Sequence, residues 1–224
     1  MSTRLDQIAA MAASAAPDAL KELKAGQKKG HWVWWVFPTI AERGGDMNSA
    51  VQRARNGKPL GPTGADLADA SEATEYIKHA KLRPLLLASL AAVDNAMAKH
   101  TEKAAPWAVL DKGFGRKPDG VWVGGPVDAY KLWCSATLFA AVAHQAGDAE
   151  VRAAAVSTLR HFKGDVKYTP KGEGTAGNVG GNKEQQQPTY VLTGPDQGTL
   201  DLIGAQTNTP VDWSAVLAAA QHKA

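Results

Sequence analysis

Two short stretches hold the residue types from which a site could be assembled. The first, GHWVWWVFPTI at residues 30–40, carries three of the seven tryptophans and one of the four phenylalanines, with His31 at its head. Indole rings supply flat apolar walls, and an imidazole beside them can hydrogen-bond a ligand or exchange a proton at neutral pH. Packing into a core is the competing role for each ring. Three indoles within four positions crowd a single core, however, and each buried indole N–H needs an acceptor. The second stretch, DAYKLWCSATLF at residues 128–139, offers Asp128 and Lys131 as opposite charges one turn apart, and Ser135 and Thr137 as hydroxyls within apolar sequence. Asp128 reads as a helix N-cap and Lys131 as its surface neighbour, while the hydroxyls must bond a backbone carbonyl or a ligand.

Other chemistries lack their residue patterns. The histidines at 31, 79, 100, 144, 161 and 222 form no pair four residues apart, and Cys134 is the single cysteine, so neither a metal site nor a disulfide is expected. Cys134 has no base beside it in sequence and reads as an inert buried thiol. There is no Gly-x-Ser-x-Gly elbow and no dinucleotide fingerprint, so no cofactor is expected. The segment GEGTAGNVGG lacks the strand and the Gly-Lys-Ser/Thr ending of a phosphate loop and reads as a flexible loop. A net charge of +3, from 25 Lys+Arg against 22 Asp+Glu, gives no basic stripe for nucleic acid. No apolar run approaches the roughly 20 residues of a membrane span. The Ala-rich start superficially resembles a targeting peptide, but Asp6 and Gln7 interrupt it, so a short helix carrying Leu5, Ile8 and Ala12 is expected, in a cytoplasmic protein.

Helical punctuation dominates the chain that must position these residues. Pro17 opens PDALKELKAGQKKG, which Gly30 is expected to stop. Asp69 and Glu72 have capping-box spacing ahead of ATEYIKHAKL, and Pro84 starts a helix whose Leu86, Leu90, Val93 and Met97 form one apolar face. Asp128 heads AYKLWCSATLFAAVAHQ, apolar nearly all round and ended by Gly147. Asp148 caps AEVRAAAVSTLRHFK, with Val151, Ala155, Leu159 and Phe162 inward and Gly164 as terminator. Asp212 precedes a final helix with Trp213, Val216, Leu217 and Ala220. HWVWWVF is short enough to fit a strand or a helical turn, and Pro38 ends it. No series of alternating strands is visible, so the fold class is mainly α: a single compact helical domain over residues 1–224 with two long Gly/Pro-rich insertions, at 41–65 and 164–198.

Four blocks in order, ALKELKAGQKKGHWVWWVFPTI, ASEATEYIKHAKLRPLL, DAYKLWCSATLF and TLDLIG, resemble a bacterial family of unknown function sometimes mislabelled calpastatin. The resemblance implies a compact helical domain with its motifs brought together, and no established activity. It places His31, Trp32, Trp34, Phe37, Pro38, Tyr76, His79, Asp128, Lys131, Ser135, Thr137 and Phe139 at motif positions. Thr39 stands where the family usually has glutamine, Ala80 where it has proline and Cys134 where it has serine. Both insertions exceed the usual family length.

Two functions fit these features. One is an aromatic-lined pocket for a small-molecule or nucleotide-like ligand, with hydrolysis as its candidate activity: Trp32, Trp34, Trp35 and Phe37 form the wall, Lys131 and Ser135 bind, and Asp128 and His31 are the acid/base candidates. The other is a non-catalytic interaction module that uses exposed tryptophans as anchors. Sequence leaves the oligomeric state open.

Overall fold

The computed structural model describes residues 3–40, 66–100, 105–110, 127–168 and 190–221. Its helices are α1 Arg4–Lys24, α2 Val33–Val36, α3 Ala70–Lys78, α4 Leu82–Ala98, α5 Ala105–Leu110, α6 Val127–Gln145, α7 Ala149–Leu159, α8 Gln197–Thr207 and α9 Trp213–Gln221. Lys163–Tyr168 (β1) and Tyr190–Thr193 (β2) pair antiparallel. The expected mainly α class therefore holds among the described residues. The 41–65 insertion and the GEGTAGNVGG segment lie outside them.

Helix α6 is the axis of the packing. Every residue from Ala129 to Ala143 is buried, and α2, α3, α5, α7, α8 and α9 all pack against it. An all-round apolar helix has no solvent face to spare, so the chain must wrap it. On the far side, α1 packs along α4. The expected stripe of Leu86, Leu90, Val93 and Met97 is buried there, facing Ile8, Ala12, Ala19 and Leu23 of α1 in the same core.

Several expected boundaries move. The N-terminal segment is one helix, not two, and Pro17 lies inside it. Proline removes one helical N–H and crowds the preceding turn. The turn before it is alanine and serine, and the buried stripe of Ile8, Ala12, Ala16, Ala19 and Leu23 runs straight across the proline, so tertiary burial outweighs the local penalty. The helix stops at Lys24, with Gly26 at φ +84° making the reversal that Gly30 was expected to make.

Asp69 caps α3 by accepting from the Glu72 amide at 2.8 Å, but Glu72 does not complete the box. Its carboxylate accepts instead from the Ala68 amide and pairs with Arg4. Asp148 caps α7 through the Val151 amide and holds Arg83 at the start of α4 through two bonds of 3.1 Å. Gly164 is not the terminator of α7, which ends at Leu159; it lies within β1 at φ +82°. The β1–β2 pair and the capped helix α8 give structure to both ends of the segment expected to be one long loop from 164 to 198. At the end of the chain Val216 faces inward while Leu217 is among the exposed residues.

Pro17 is exposed, so replacing it removes no packing. Pro17→Ala should restore one helical hydrogen bond and raise stability by about 2 kcal/mol, less than the full interior-proline penalty because the unfolded chain also gains freedom. Urea unfolding monitored by circular dichroism measures this directly.

Candidate functional site

The end of α1 is fastened to the tryptophan block by a single carboxylate. Glu22 accepts from the Lys29 amide at 2.5 Å, the Gly30 amide at 2.8 Å and Trp32 Nε1 at 2.6 Å. This bond satisfies the Trp32 indole in an otherwise apolar setting. Burial alone would raise the Glu22 pKa, but the two amides, the indole and nearby Lys28 outweigh it and hold the carboxyl below its ordinary value of 4.5. A side chain on Gly30 would meet Trp32 Cδ1 at 3.0 Å and Glu22 Oε1 at 3.3 Å, so glycine permits the close approach.

HWVWWVF resolves as a helical turn: α2 spans Val33–Val36, and Phe37 leaves it at φ −123°, ψ 74°, ahead of Pro38. Trp32, Trp35 and Phe37 are buried, with Trp32 set edge-on to Phe37 at 6.3 Å. These three rings are core. Trp34 is only partly buried, and His31 is exposed.

Two lysines lie under these aromatics. Lys28 is 2% exposed, and its Nζ sits 2.5 Å from Asp128 Oδ2 and 2.5 Å from the Gly30 carbonyl, beneath Trp32 at 5.5 Å. Asp128 is therefore neither the N-cap of α6, which already begins at Val127, nor the partner of Lys131. A buried ammonium needs a counter-charge more than the helix needs a cap. Lys131 is 1% exposed, not on the surface; its Nζ lies 3.3 Å from Thr39 Oγ1, 3.4 Å from Asp66 Oδ1 and 4.6 Å from the centre of the Trp34 ring. Burial pushes the Lys131 ammonium below its ordinary pKa, while Asp66, Cys134 and Asp128 pull it partly back.

Asp66 enters this site beside a parallel bridge between Ile40 and Leu67, and Arg4 of α1 donates to its carbonyl while pairing with Glu72. Asp128, Lys131 and Ser135 share one face of α6, within about 60° at 100° per residue. Ser135 Oγ is enclosed and has no hydrogen-bond partner among the described residues. Thr137 donates to the Trp133 carbonyl and accepts from the Asp196 amide at 2.9 Å, which makes it structural. Tyr76 and Phe139 pack ring to ring at 5.2 Å, and His79 meets Asp6 at 3.3 Å on α1, so these motif residues join helices.

The structure thus gathers Trp34, Lys131 and Asp128 with residues that sequence reasoning did not single out: Glu22, Lys28, Asp66 and Arg4. Lys28 is hidden in a lysine run that looks solvated. A lysine inside an apolar helix demands a carboxylate, but nothing in the sequence marks Asp66 over Asp69 three residues on, which caps α3. Among the described residues no group of three or more metal-capable side chains occurs, and no helix is long and apolar enough to cross a membrane.

Asp128→Asn should leave Lys28 charged and buried, lowering stability by about 3–5 kcal/mol, whereas replacing both partners with apolar residues should lose much less. A double-mutant cycle in urea tests the coupling; additive losses would disprove it. Glu22 gives an acid-side signature. Its depressed pKa contributes stability that is complete above about pH 5 and is lost as pH falls through the lower folded value. Glu22→Gln should therefore be less stable than the parent at neutral pH and approach it in acid.

No curated protein and no solved structure matches the chain. Residues 3–112 match the family described as "Protein of unknown function (DUF1810)". That stretch carries Glu22, Lys28, the tryptophan block and Asp66, whereas Asp128, Lys131 and Ser135 follow it on α6. Over residues 3–112, from α1 through α5, the chain is similar to the DUF1810 family.

Proposed function

We propose that the chain binds a small molecule where Trp34, Thr39, Asp66 and Lys131 meet. The observation that carries this reading is the loose hold on Lys131. Its ammonium is as deeply buried as that of Lys28, yet its hydrogen-bond partners stand at 3.3 and 3.4 Å against 2.5 Å for both partners of Lys28. An ammonium has three donors, and burying one with long bonds sacrifices hydration without full replacement. A ligand oxygen would complete the set.

Trp34 is the partly exposed ring of its block and gives a flat apolar surface for the rest of the ligand. The unpartnered Ser135 hydroxyl, one turn along α6 from Lys131, supplies another donor on the same helix face. The ligand class this favours is small and planar with an acceptor oxygen, of which nucleotide-like compounds are one kind. Asp128, already engaged by Lys28, serves as a counter-ion and not as a general base. For the interaction-module reading, Trp32 and Trp35 are buried and cannot act as surface anchors, which leaves Trp34 as the partly exposed ring of this block.

A thermal-shift screen of nucleotides, nucleosides, sugars and small carboxylates tests the proposal. A true ligand at 100 times its Kd should stabilise the protein by about 2.7 kcal/mol. The shift should vanish in Lys131→Met and weaken in Trp34→Ala, provided each variant retains a cooperative melt. A ligand that stabilises parent and both folded variants equally would place binding elsewhere.

A further inference from the structure

We infer that Lys131 is a nucleophilic amine that condenses with a small neutral aldehyde to form an imine, an inference that rests on the ligand site proposed above. The two buried lysines differ in how available their nitrogen is. Lys28 Nζ is fixed between a carboxylate and a carbonyl at 2.5 Å, so any attack by it must first break both bonds. Among the described residues, Lys131 Nζ is held by contacts of 3.3 and 3.4 Å and by the face of Trp34. Burial shifts a lysine toward the neutral amine, the form that attacks carbonyl carbon.

Among the described residues, the charged and titratable groups acting on Lys131 are Asp66, from the segment leading into α3, and Cys134 and Asp128, from α6 itself. The α2 side presents the uncharged Trp34 ring, and Thr39 adds an uncharged hydroxyl. Burial outweighs the acidic groups, and the ammonium loses its proton more readily than an exposed lysine. Asp66 Oδ1 is the carboxylate placed to accept that proton.

The reaction needs no further reactant. The amine lone pair forms a C–N bond to the aldehyde carbon, and the proton on nitrogen passes to the carbonyl oxygen, giving a carbinolamine. The proton taken up by Asp66 then passes to the carbinolamine hydroxyl, which leaves as water while the nitrogen lone pair forms the C=N bond of the protonated imine. The protonated imine carries one positive charge where the ammonium stood, over the Trp34 face and beside Asp66, so the surroundings that hold one hold the other. An aldehyde bearing its own carboxylate would set a second negative charge against Asp66, which is why the neutral class is favoured.

The native chain, treated with propionaldehyde and cyanoborohydride at about pH 6 and about pH 9, tests this by peptide mapping. At the lower pH the propyl adduct should sit on Lys131 at higher occupancy than on the exposed Lys21 and Lys24, with Lys28 unmodified, since a lowered pKa raises the neutral fraction. At the higher pH the surface lysines should catch up. Adduct on Lys21 and Lys24 with Lys131 clean, or equal labelling at both pH values, overturns the inference. A ligand whose thermal shift depends on Lys131, found together with a clean Lys131 in this experiment, would sink the imine and leave the binding site standing.

Discussion

Burial of α6 from Ala129 to Ala143 is the constraint from which the rest of the structure follows. A helix with no face to water must satisfy every polar side chain it carries from its neighbours, and α6 carries Asp128, Lys131, Ser135 and Thr137. Three of these demands are met, each by a different element, and the Ser135 hydroxyl has no partner among the described residues. Asp128 draws in Lys28 from the end of α1, Lys131 draws in Asp66 and Thr39, and Thr137 draws in the Asp196 amide that opens α8. Trp133 adds a bond from its indole N–H to the Gly194 carbonyl. Segments far apart in the chain are therefore tied to one helix by hydrogen bonds with definite geometry, in addition to non-directional apolar contact.

What could be read in advance was what local chemistry decides. The α4 stripe and the caps at Asp69 and Asp148 are settled within a few residues, so their spacing carried the information. The α1 helix was misread at Pro17 because a long buried stripe overrides one unfavourable residue. The β1–β2 pair was missed because KGDVKY and YVLT lack sustained alternation and their partners are separated by residues 169–189. Gly164 was assigned to a helix end for the same reason: its positive φ serves a strand whose existence depends on a distant partner.

The site was legible in part. Aromatic crowding and the run of polar residues in α6 identified Trp34, Lys131 and Ser135 as worth attention, and Lys131 does meet Trp34. The pairing of the charges was not legible. Asp128 and Lys131 are near neighbours on the helix, and proximity in sequence argued for a surface pair. Burial separates them, because each buried charge takes the partner that best replaces its water, and those partners come from α1 and from the segment before α3. His31, next to the buried Trp32, faces the surface.

The division of these ion pairs along the chain bears on how the protein can be taken apart. Lys28 and Asp66 lie within the family-matched residues 3–112, while Asp128 and Lys131 lie beyond them. Severed between the two parts, the first would retain a cation and an anion whose counter-charges had left with the second, together with the apolar surfaces of α2, α3 and α5 that α6 covers. Both ion pairs, and the apolar contacts that α6 makes with α2, α3 and α5, therefore cross the edge of the recognisable sequence.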